Sequence, residues 1–176
     1  MKRLVTYFFP NQVKKDLLTA FVNEVVKINN KFPYINYGGC GAMAVILYDK
    51  LKQLGFKPKI CVFVYDKKAF AESMEMYFEH GFDYYVDNRT EGFPHIIVKA
   101  GGYYIDSTGV YNSHTEMPIY GHRDLFEGAD VDFIRECSEE GSIWNNTFDR
   151  NHIPDIQKSI DRIYKKILKE NLVVSE

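Results

Sequence analysis

Hydrophobic positions recur with a helical period in four parts of the chain. Residues 14–29 and 67–80 each carry an apolar stripe at intervals of three and four, and residues 154–171 repeat the pattern with Lys and Asp on the opposite face. Residues 40–54 are apolar almost all round in their first half, which is typical of a helix at the centre of a domain. The pattern therefore predicts four helices, with the second one central.

Strand patterns lie between these helices. Residues 58–65 are rich in β-branched and aromatic side chains, as expected of a buried strand. Two shorter apolar runs, residues 95–99 and 103–106, flank Gly101-Gly102, and this arrangement predicts a β-hairpin. Residues 131–137 are predicted to form a further strand.

Length and composition fit one ordinary domain. The chain has 176 residues, of which 45% are hydrophobic and 26% are charged, and a domain of this size buries a core without a disulfide or a metal. The chain is therefore predicted to form a single domain over residues 1–176. No apolar run reaches the roughly 20 residues needed to cross a bilayer. The short apolar stretch near Met1 lacks a small-residue cleavage site, so we expect neither a membrane span nor a signal peptide.

Charge and cysteine usage narrow the classes of function. The formal net charge is −2 and Lys and Arg are spread along the sequence, whereas binding to a nucleic-acid backbone normally needs a clustered basic face. We therefore expect no nucleic-acid partner. The three cysteines, Cys40, Cys61 and Cys137, form an odd set without CxxC spacing. Such a set fits a reducing compartment better than a disulfide framework, and it predicts a cytoplasmic protein.

Three residues outline the components of nucleophilic catalysis. Cys40 follows Gly38-Gly39 at the start of the predicted central helix, where the partial positive charge and the unpaired N–H groups of a first turn stabilise a thiolate. His95 begins the first hairpin strand and Asp106 closes the second, so antiparallel pairing brings them together. An aspartate that accepts the Nδ1–H of a histidine fixes its tautomer and favours the imidazolium that a thiolate requires.

Each of these residues also has an ordinary structural interpretation. A cysteine without a disulfide is usually a small buried apolar residue, a histidine after Pro94 is typical of a strand edge, and Asp106 precedes a Ser-Thr-Gly turn. Their combination in this chain order favours the catalytic interpretation.

Two segments resemble one group of known proteins. Residues 37–44, of sequence YGGCGAMA, resemble the nucleophile helix of the papain-like and transglutaminase-like cysteine superfamily. Residues 95–109 are similar to its histidine strand, glycine turn and Tyr-x-Asp strand, and this is the more specific match. The resemblance implies an α+β fold with a papain-like (transglutaminase-like) core, in which a buried Cys-bearing helix packs on an antiparallel sheet that carries the His and the Asp. It also implies that Cys40 is the nucleophile, His95 the general base and acid, and Asp106 the orienting carboxylate.

The chain departs from this family at the oxyanion hole. Papain-like peptidases place a Gln six positions before the Cys, where this chain has Tyr34. Asn36 is our candidate for the side-chain amide donor, with the backbone N–H of Cys40 as the second donor. Gly39 and Trp144 are candidates for substrate contact, because glycines beside the thiol leave space for a carbonyl and a Trp in a polar loop can cover a groove. A lone Trp packed on the sheet is the alternative for Trp144.

Metal binding is the alternative for two sets of residues. His114, Glu116, His122 and Asp124 match no compact ligand motif, and in a turn-rich segment they are typical of solvated polar side chains. The three candidate catalytic residues could themselves bind zinc, but such a site normally recruits a second cysteine nearby. We therefore expect no metal and no organic cofactor.

The leading hypothesis is a thiol-dependent acyl-transfer enzyme. A cysteine protease or amidase would cleave a peptide, isopeptide or side-chain amide bond of a peptide or protein substrate, and in a transglutaminase or acyltransferase variant an amine would resolve the thioester. The N-acetyltransferases of the superfamily carry an Arg where Tyr37 stands, which disfavours acetyl-CoA chemistry. The alternatives are a catalytically silent papain-like scaffold that binds a protein partner, and an unrelated α+β domain in which Cys40, His95 and Asp106 never meet.

Overall fold

The predicted helices and strands occur in the predicted order, except that the predicted strand at residues 131–137 is a helix. The elements at residues 82–88, 110–111 and 124–129 were not predicted. A computed structural model describes residues 11–28, 31–32, 35, 38–88, 95–117, 123–140 and 148–172. Its elements are α1 (Asn11–Val26), α2 (Cys40–Gln53), β1 (Lys59–Val64), α3 (Lys67–His80), α4 (Phe82–Asn88), β2 (His95–Ala100), β3 (Tyr103–Ile105), β4 (Val110–Tyr111), β5 (Asp124–Ala129), α5 (Val131–Glu140) and α6 (Ile153–Leu172). The described chain is a mixed α+β structure built on an antiparallel sheet.

The sheet has the strand order β4-β3-β2-β1-β5, with antiparallel neighbours throughout. Phe63 of β1 is the register partner of His95 in β2, and Val98 of β2 is that of Ile105 in β3. Gly101 and Gly102 join β2 to β3 with φ angles of 59° and 89°, a left-handed conformation that glycine adopts without strain. The predicted hairpin is confirmed.

The main core lies between one face of the sheet and the helices. Helix α2 packs on β2 and β1 and is flanked by α5 and α6, while α1 packs against α6. Its central position, predicted from the sequence, is confirmed by the burial of every residue from Cys40 to Leu47. The ammonium of Lys50 meets the carboxylate of Asp161 at 2.6 Å and links α2 to α6.

A smaller hydrophobic cluster covers part of the other face of the sheet. Its buried members are Cys61, Phe63, Ile97, Met117 and Leu125, with Tyr104 and Tyr111 packed against them. Phe63 of this cluster is the register partner of His95, so the cluster lies next to the start of β2.

The segment predicted as a strand at residues 131–137 is helical, and the strand precedes it as β5. Phe133, Ile134 and Cys137 are fully buried, and their spacing puts all three on one face of a helix. The carboxylate of Asp130 caps this helix by accepting hydrogen bonds from the N–H groups of residues 132 and 133, both at 2.9 Å. A run of seven residues is too short for its period alone to separate strand from helix, and the packing of its buried face against α2 decides it.

Helix α4 was not predicted, since its sequence combines aromatic and polar residues without a clear period. Tyr85 anchors it: the side chain is fully buried, and its ring meets that of Phe133 edge-on at 5.1 Å.

Helix α3 has the predicted bounds, and its N-terminus is capped by Asp66, which accepts from the N–H groups of Lys68 and Ala69. Helix α1 starts and ends three residues earlier than predicted.

Basic residues are less dispersed in the fold than in the sequence. Lys158, Arg162, Lys165, Lys166 and Lys169 are exposed on α6, and their spacing places them on one face. The basic residues of the exposed face of α6 are therefore clustered, although Lys and Arg are spread along the sequence.

Within the described residues, no helix combines the length and the apolar composition that a membrane crossing requires.

Candidate active site

Cys40 is the first residue of α2, directly after the glycine pair. Gly38 has a φ of 110°, which side chains rarely tolerate, and this turn directs the chain into the helix. The first turn closes where the N–H of Met43 donates to the carbonyl of Gly39 at 3.0 Å. The N–H groups before Met43 consequently have no acceptor within the helix, and they give the sulfur of Cys40 a positive local environment.

The glycines around Cys40 allow close packing. A Cβ on Gly39 would lie 2.8 Å from both the carbonyl oxygen of Ile35 and the ring of Phe148, and a Cβ on Gly41 would lie 2.4 Å from Oγ of Ser138. This differs from the expectation that these glycines leave open space beside the thiol for a substrate. Their main effect is to let Phe148 and Ser138 approach the start of the helix.

His95 and Asp106 form a buried ion pair. Nε2 of His95 lies 2.9 Å from Oδ2 of Asp106, and the side chains are 2% and 7% exposed. Continuing the β2–β3 register places residue 108 opposite His95, so the pair is diagonal across the hairpin. The predicted contact through Nδ1 is wrong: Nε2 faces the carboxylate. Nδ1 is therefore the ring nitrogen that remains to meet the thiol of Cys40.

The ring of His95 is held by packing as well as by its polar contact. It stacks on the ring of Phe63, its register partner, with centroids 6.3 Å apart and planes 20° apart. The stack fixes the plane of the imidazole, and the bond to Asp106 fixes its rotation within that plane. Sequence reasoning missed Phe63, because its role follows from the register of β1 against β2.

The carboxylate of Asp106 is fully engaged. While Oδ2 faces His95, Oδ1 accepts from the N–H of Thr108 at 2.7 Å, the hydroxyl of Thr108 at 2.5 Å and the N–H of Gly109 at 3.2 Å. Burial acts to raise the pKa of Asp106, but the hydrogen bond and charge of His95 and the donors of Thr108 outweigh it, and the pKa lies below its ordinary value. The carboxylate is thus ionised wherever the fold is intact near neutral pH.

Cys40 and His95 stabilise each other's charged forms. Burial alone would raise the pKa of the Cys40 thiol, yet the hydrogen bond and charge of His95, with the backbone N–H groups of Ile96 and Gly41, bring it below the ordinary value. Burial alone would lower the pKa of His95, yet Asp106 and Cys40 raise it to about 9. The arrangement therefore favours a thiolate beside an imidazolium over the neutral pair.

The other thiols lie in different environments. All three cysteines are buried, but burial and the charge of Glu127 raise the pKa of Cys61 to about 12. Burial by itself thus makes a thiol of this protein harder to ionise. The low pKa of Cys40 follows from its position at the helix start and its contact with His95.

The thiol of Cys40 borders a space from which water is excluded. A crevice that is too narrow to hold a water molecule lies beside the sulfur of Cys40. Its lining consists of Cys40, Met43, Ala44, Ile96, Ile105, Asp106 and Ser107. Because little water reaches these groups, the charge interactions among Cys40, His95 and Asp106 are only weakly screened.

Several predicted site residues fall outside the described part of the chain. These are Asn36, the candidate oxyanion donor, Trp144, the candidate groove residue, and His122 of the alternative metal set. The other members of that set have separate contacts: His114 packs against the rings of Phe63 and Tyr104, Glu116 accepts from the N–H of Asn112, and Asp124 faces Lys67. Among the residues that the structure describes, no three His, Cys, Asp or Glu side chains converge as metal ligands.

Comparison of the chain with family models, with curated proteins and with solved structures finds no match. The function is therefore argued from the geometry of Cys40, His95 and Asp106.

Proposed function

We propose that this protein is a thiol-dependent acyl-transfer enzyme with a papain-like arrangement of Cys40, His95 and Asp106. The observation that carries the proposal is the buried pair of His95 and Asp106, with 2.9 Å between Nε2 and Oδ2, next to a thiol whose pKa is lowered by the hydrogen bond and charge of His95. A helix start, a strand and a hairpin turn each contribute one of the three groups. This division of roles is the one that nucleophilic catalysis by cysteine requires.

The first half-reaction transfers an acyl group to the sulfur. The thiolate of Cys40 attacks the carbonyl carbon of an amide, and the negative charge moves to the carbonyl oxygen. The backbone N–H of Cys40 is placed to donate to that oxygen, and Asn36 remains our candidate for the second donor. The imidazolium of His95 then gives its proton to the nitrogen as the C–N bond breaks, so that a neutral amine leaves and a thioester remains.

The second half-reaction regenerates the enzyme. Neutral His95 takes a proton from water, the oxygen of that water attacks the thioester carbon, and the C–S bond breaks to release a carboxylic acid and the thiolate. If an amine replaces water, the same steps form a new amide. Asp106 keeps its negative charge throughout and stabilises the imidazolium form of His95. A peptide, isopeptide or side-chain amide of a peptide or protein is the proposed substrate.

A catalytically silent binding scaffold is the second candidate. It is favoured by the exposure of Cys40, His95 and Asp106, which is only 6%, 2% and 6%, and by the absence of space for a water molecule in the crevice beside the thiol. An enzyme of this form must open to admit an amide, whereas a scaffold need not. The two candidates therefore differ in whether a substrate-like reagent reaches Cys40.

The test is the pH dependence of cysteine alkylation, followed by peptide mass spectrometry for wild type and His95→Ala. Iodoacetamide is small enough to report on a restricted thiol, and the pH midpoint separates ionisation from access. We expect the midpoint of Cys40 to lie well below the ordinary value of about 8.5 and to return toward it in His95→Ala. Cys61, which is buried and has a raised pKa, serves as the unreactive internal control, and Asp66→Ala serves as a variant destabilised away from the site.

A peptidyl vinyl sulfone then separates enzyme from scaffold. We expect it to modify Cys40 in wild type and not in His95→Ala. A low midpoint without reaction would favour the scaffold, and an ordinary midpoint would overturn the catalytic proposal.

A further inference from the structure

A chain of hydrogen bonds continues beyond Asp106, away from His95. The hydroxyl of Thr108 lies 2.5 Å from Oδ1 of Asp106, and the hydroxyl of Tyr111 lies 2.7 Å from the hydroxyl of Thr108. Together with the contact between His95 and Asp106, these bonds connect Tyr111, on strand β4, to the imidazole on β2.

The direction of this chain follows from proton counting. An ionised carboxylate only accepts hydrogen bonds, and a hydroxyl has a single proton to donate. The proton of Thr108 is therefore used on Asp106, so its oxygen must accept from Tyr111. Each hydroxyl donates toward the carboxylate, and hydrogen bonds aligned in this way polarise and strengthen one another.

The ring of Tyr111 also shields the turn that holds Asp106. A Cβ on Gly109 would lie 3.6 Å from the Cζ and Oη atoms of Tyr111, so the ring lies over this glycine. Thr108 itself is exposed. Tyr111 thus stands beside a hydroxyl that contacts the carboxylate, where water would otherwise compete for that hydroxyl.

We propose that Thr108 and Tyr111 are positioning residues that hold the carboxylate of Asp106 in the orientation that presents Oδ2 to Nε2 of His95. The inference deepens the proposed function, because it concerns the same three groups. Backbone N–H groups of Thr108 and Gly109 bind Oδ1 whatever the side chains are. The hydroxyls of Thr108 and Tyr111, in contrast, depend on the identity of these two residues. Single substitutions can therefore remove this part of the restraint on Asp106.

Three variants test the proposal through the pH midpoint of Cys40 alkylation. Thr108→Val removes the hydroxyl and keeps the shape, Thr108→Ser keeps the hydroxyl, and Tyr111→Phe removes only the outer donor. With a less restrained carboxylate the imidazolium of His95 is less favoured, so we expect the midpoint to rise by about 0.5 to 1 pH unit in Thr108→Val. We expect a smaller rise in Tyr111→Phe and none in Thr108→Ser.

The double variant separates positioning from a general loss of stability. Because Tyr111 acts through Thr108, Thr108→Val combined with Tyr111→Phe should shift the midpoint no further than Thr108→Val alone. Asp66→Ala should lose stability without any shift. Equal midpoints in Thr108→Val and wild type, or additive shifts, would overturn the proposal. If wild type itself shows an ordinary thiol midpoint, it is the proposed function that fails.

A second measurement does not depend on the thiol. In Cys40→Ser, the His95 ring can be titrated by NMR with and without Thr108→Val. We expect Thr108→Val to lower the pKa of His95 in this background and Thr108→Ser to leave it unchanged. An unchanged or raised pKa in Thr108→Val would contradict the positioning role even if Cys40 proves unreactive.

Discussion

His95 and Asp106 meet diagonally across the β2–β3 hairpin, with Nε2 2.9 Å from Oδ2. The diagonal position lets Asp106 stand at the end of β3, where the turn supplies donors to its other oxygen. One residue thus ends a strand and orients a histidine.

Replacing Asp106 by Asn should lower the pKa of His95. Asn keeps the shape of the side chain but removes the negative charge that stabilises the imidazolium, and Asp106 supports the His95 pKa of about 9. We expect a fall of about one to two units, read from the ring resonances of His95 in an NMR titration. An unaltered titration in Asp106→Asn would show that the pair contributes no charge stabilisation.

The pH dependence of stability should reveal opposite contributions from Cys40 and His95. His95 has a pKa of about 9 in the fold against 6.5 ordinarily, so its contribution is complete below pH 6.5 and is lost as pH rises through about 9. Cys40 has a lowered pKa, so its contribution grows as pH rises toward the ordinary value of a thiol. In wild type the two slopes oppose each other.

Cys40→Ser removes the contribution of the thiol and leaves the part of the His95 contribution that Asp106 sustains, because Cys40 also helps to raise the pKa of His95. We expect its free energy of unfolding in urea to fall by on the order of 1 kcal/mol between pH 6 and 9, while the wild-type value changes less. The control is Cys40→Ser combined with His95→Gln, which should lack this fall. Parallel curves for all three proteins would contradict the assigned pKa directions.

Gly41→Ala should be destabilising by about 1 to 3 kcal/mol, since the added Cβ overpacks a filled site. The atom in its way is Oγ of Ser138, at 2.4 Å from an ideal Cβ, while Cβ of Ser138 is 3.6 Å away. Ser138→Ala removes that Oγ, so the double variant should recover most of the loss. Denaturant unfolding of the four proteins measures the coupling, and additivity would place the strain elsewhere.

Asp130→Ala should cost about 1 kcal/mol of stability, because the carboxylate caps the start of α5. Asp130→Asn retains an accepting oxygen and should cost much less. Helical content from circular dichroism and the midpoint of urea unfolding provide the measurement. A loss of similar size in both variants would point to the charge of Asp130 instead of its cap.

The sequence alone predicts the elements whose apolar pattern is continuous and whose ends carry clear local signals. Helix α2 was predicted from a continuous apolar pattern that follows a glycine pair, and the hairpin from two apolar runs joined by Gly101-Gly102. Cys40, His95 and Asp106 lie at the ends of these elements. Positions at element ends are readable from a sequence, because the signals that start and stop an element are local.

The parts that were missed depend on contacts between distant segments. Residues 131–137 were assigned to a strand because the run is short, and the buried face that makes it a helix is defined by α2 and Phe70. The stack of Phe63 on His95 requires the β1–β2 register, and Phe148 reaches Gly39 from more than a hundred positions away. The contact of Thr108 with Asp106, in contrast, is local, because the Asp-x-Thr-Gly sequence is a recognisable turn.

The outermost strands of the sheet bear on how this protein behaves at high concentration. An exposed strand edge invites another chain to extend the sheet, and long flat edges are starting points for aggregation. Here one outer strand, β4, has two residues. The other, β5, carries Asp124 and Glu127 and is interrupted by Gly128 with a φ of 89°. In the part of the chain that the structure describes, both edges are therefore poor templates for strand addition, and the strand that supplies Tyr111 is one of these two edges.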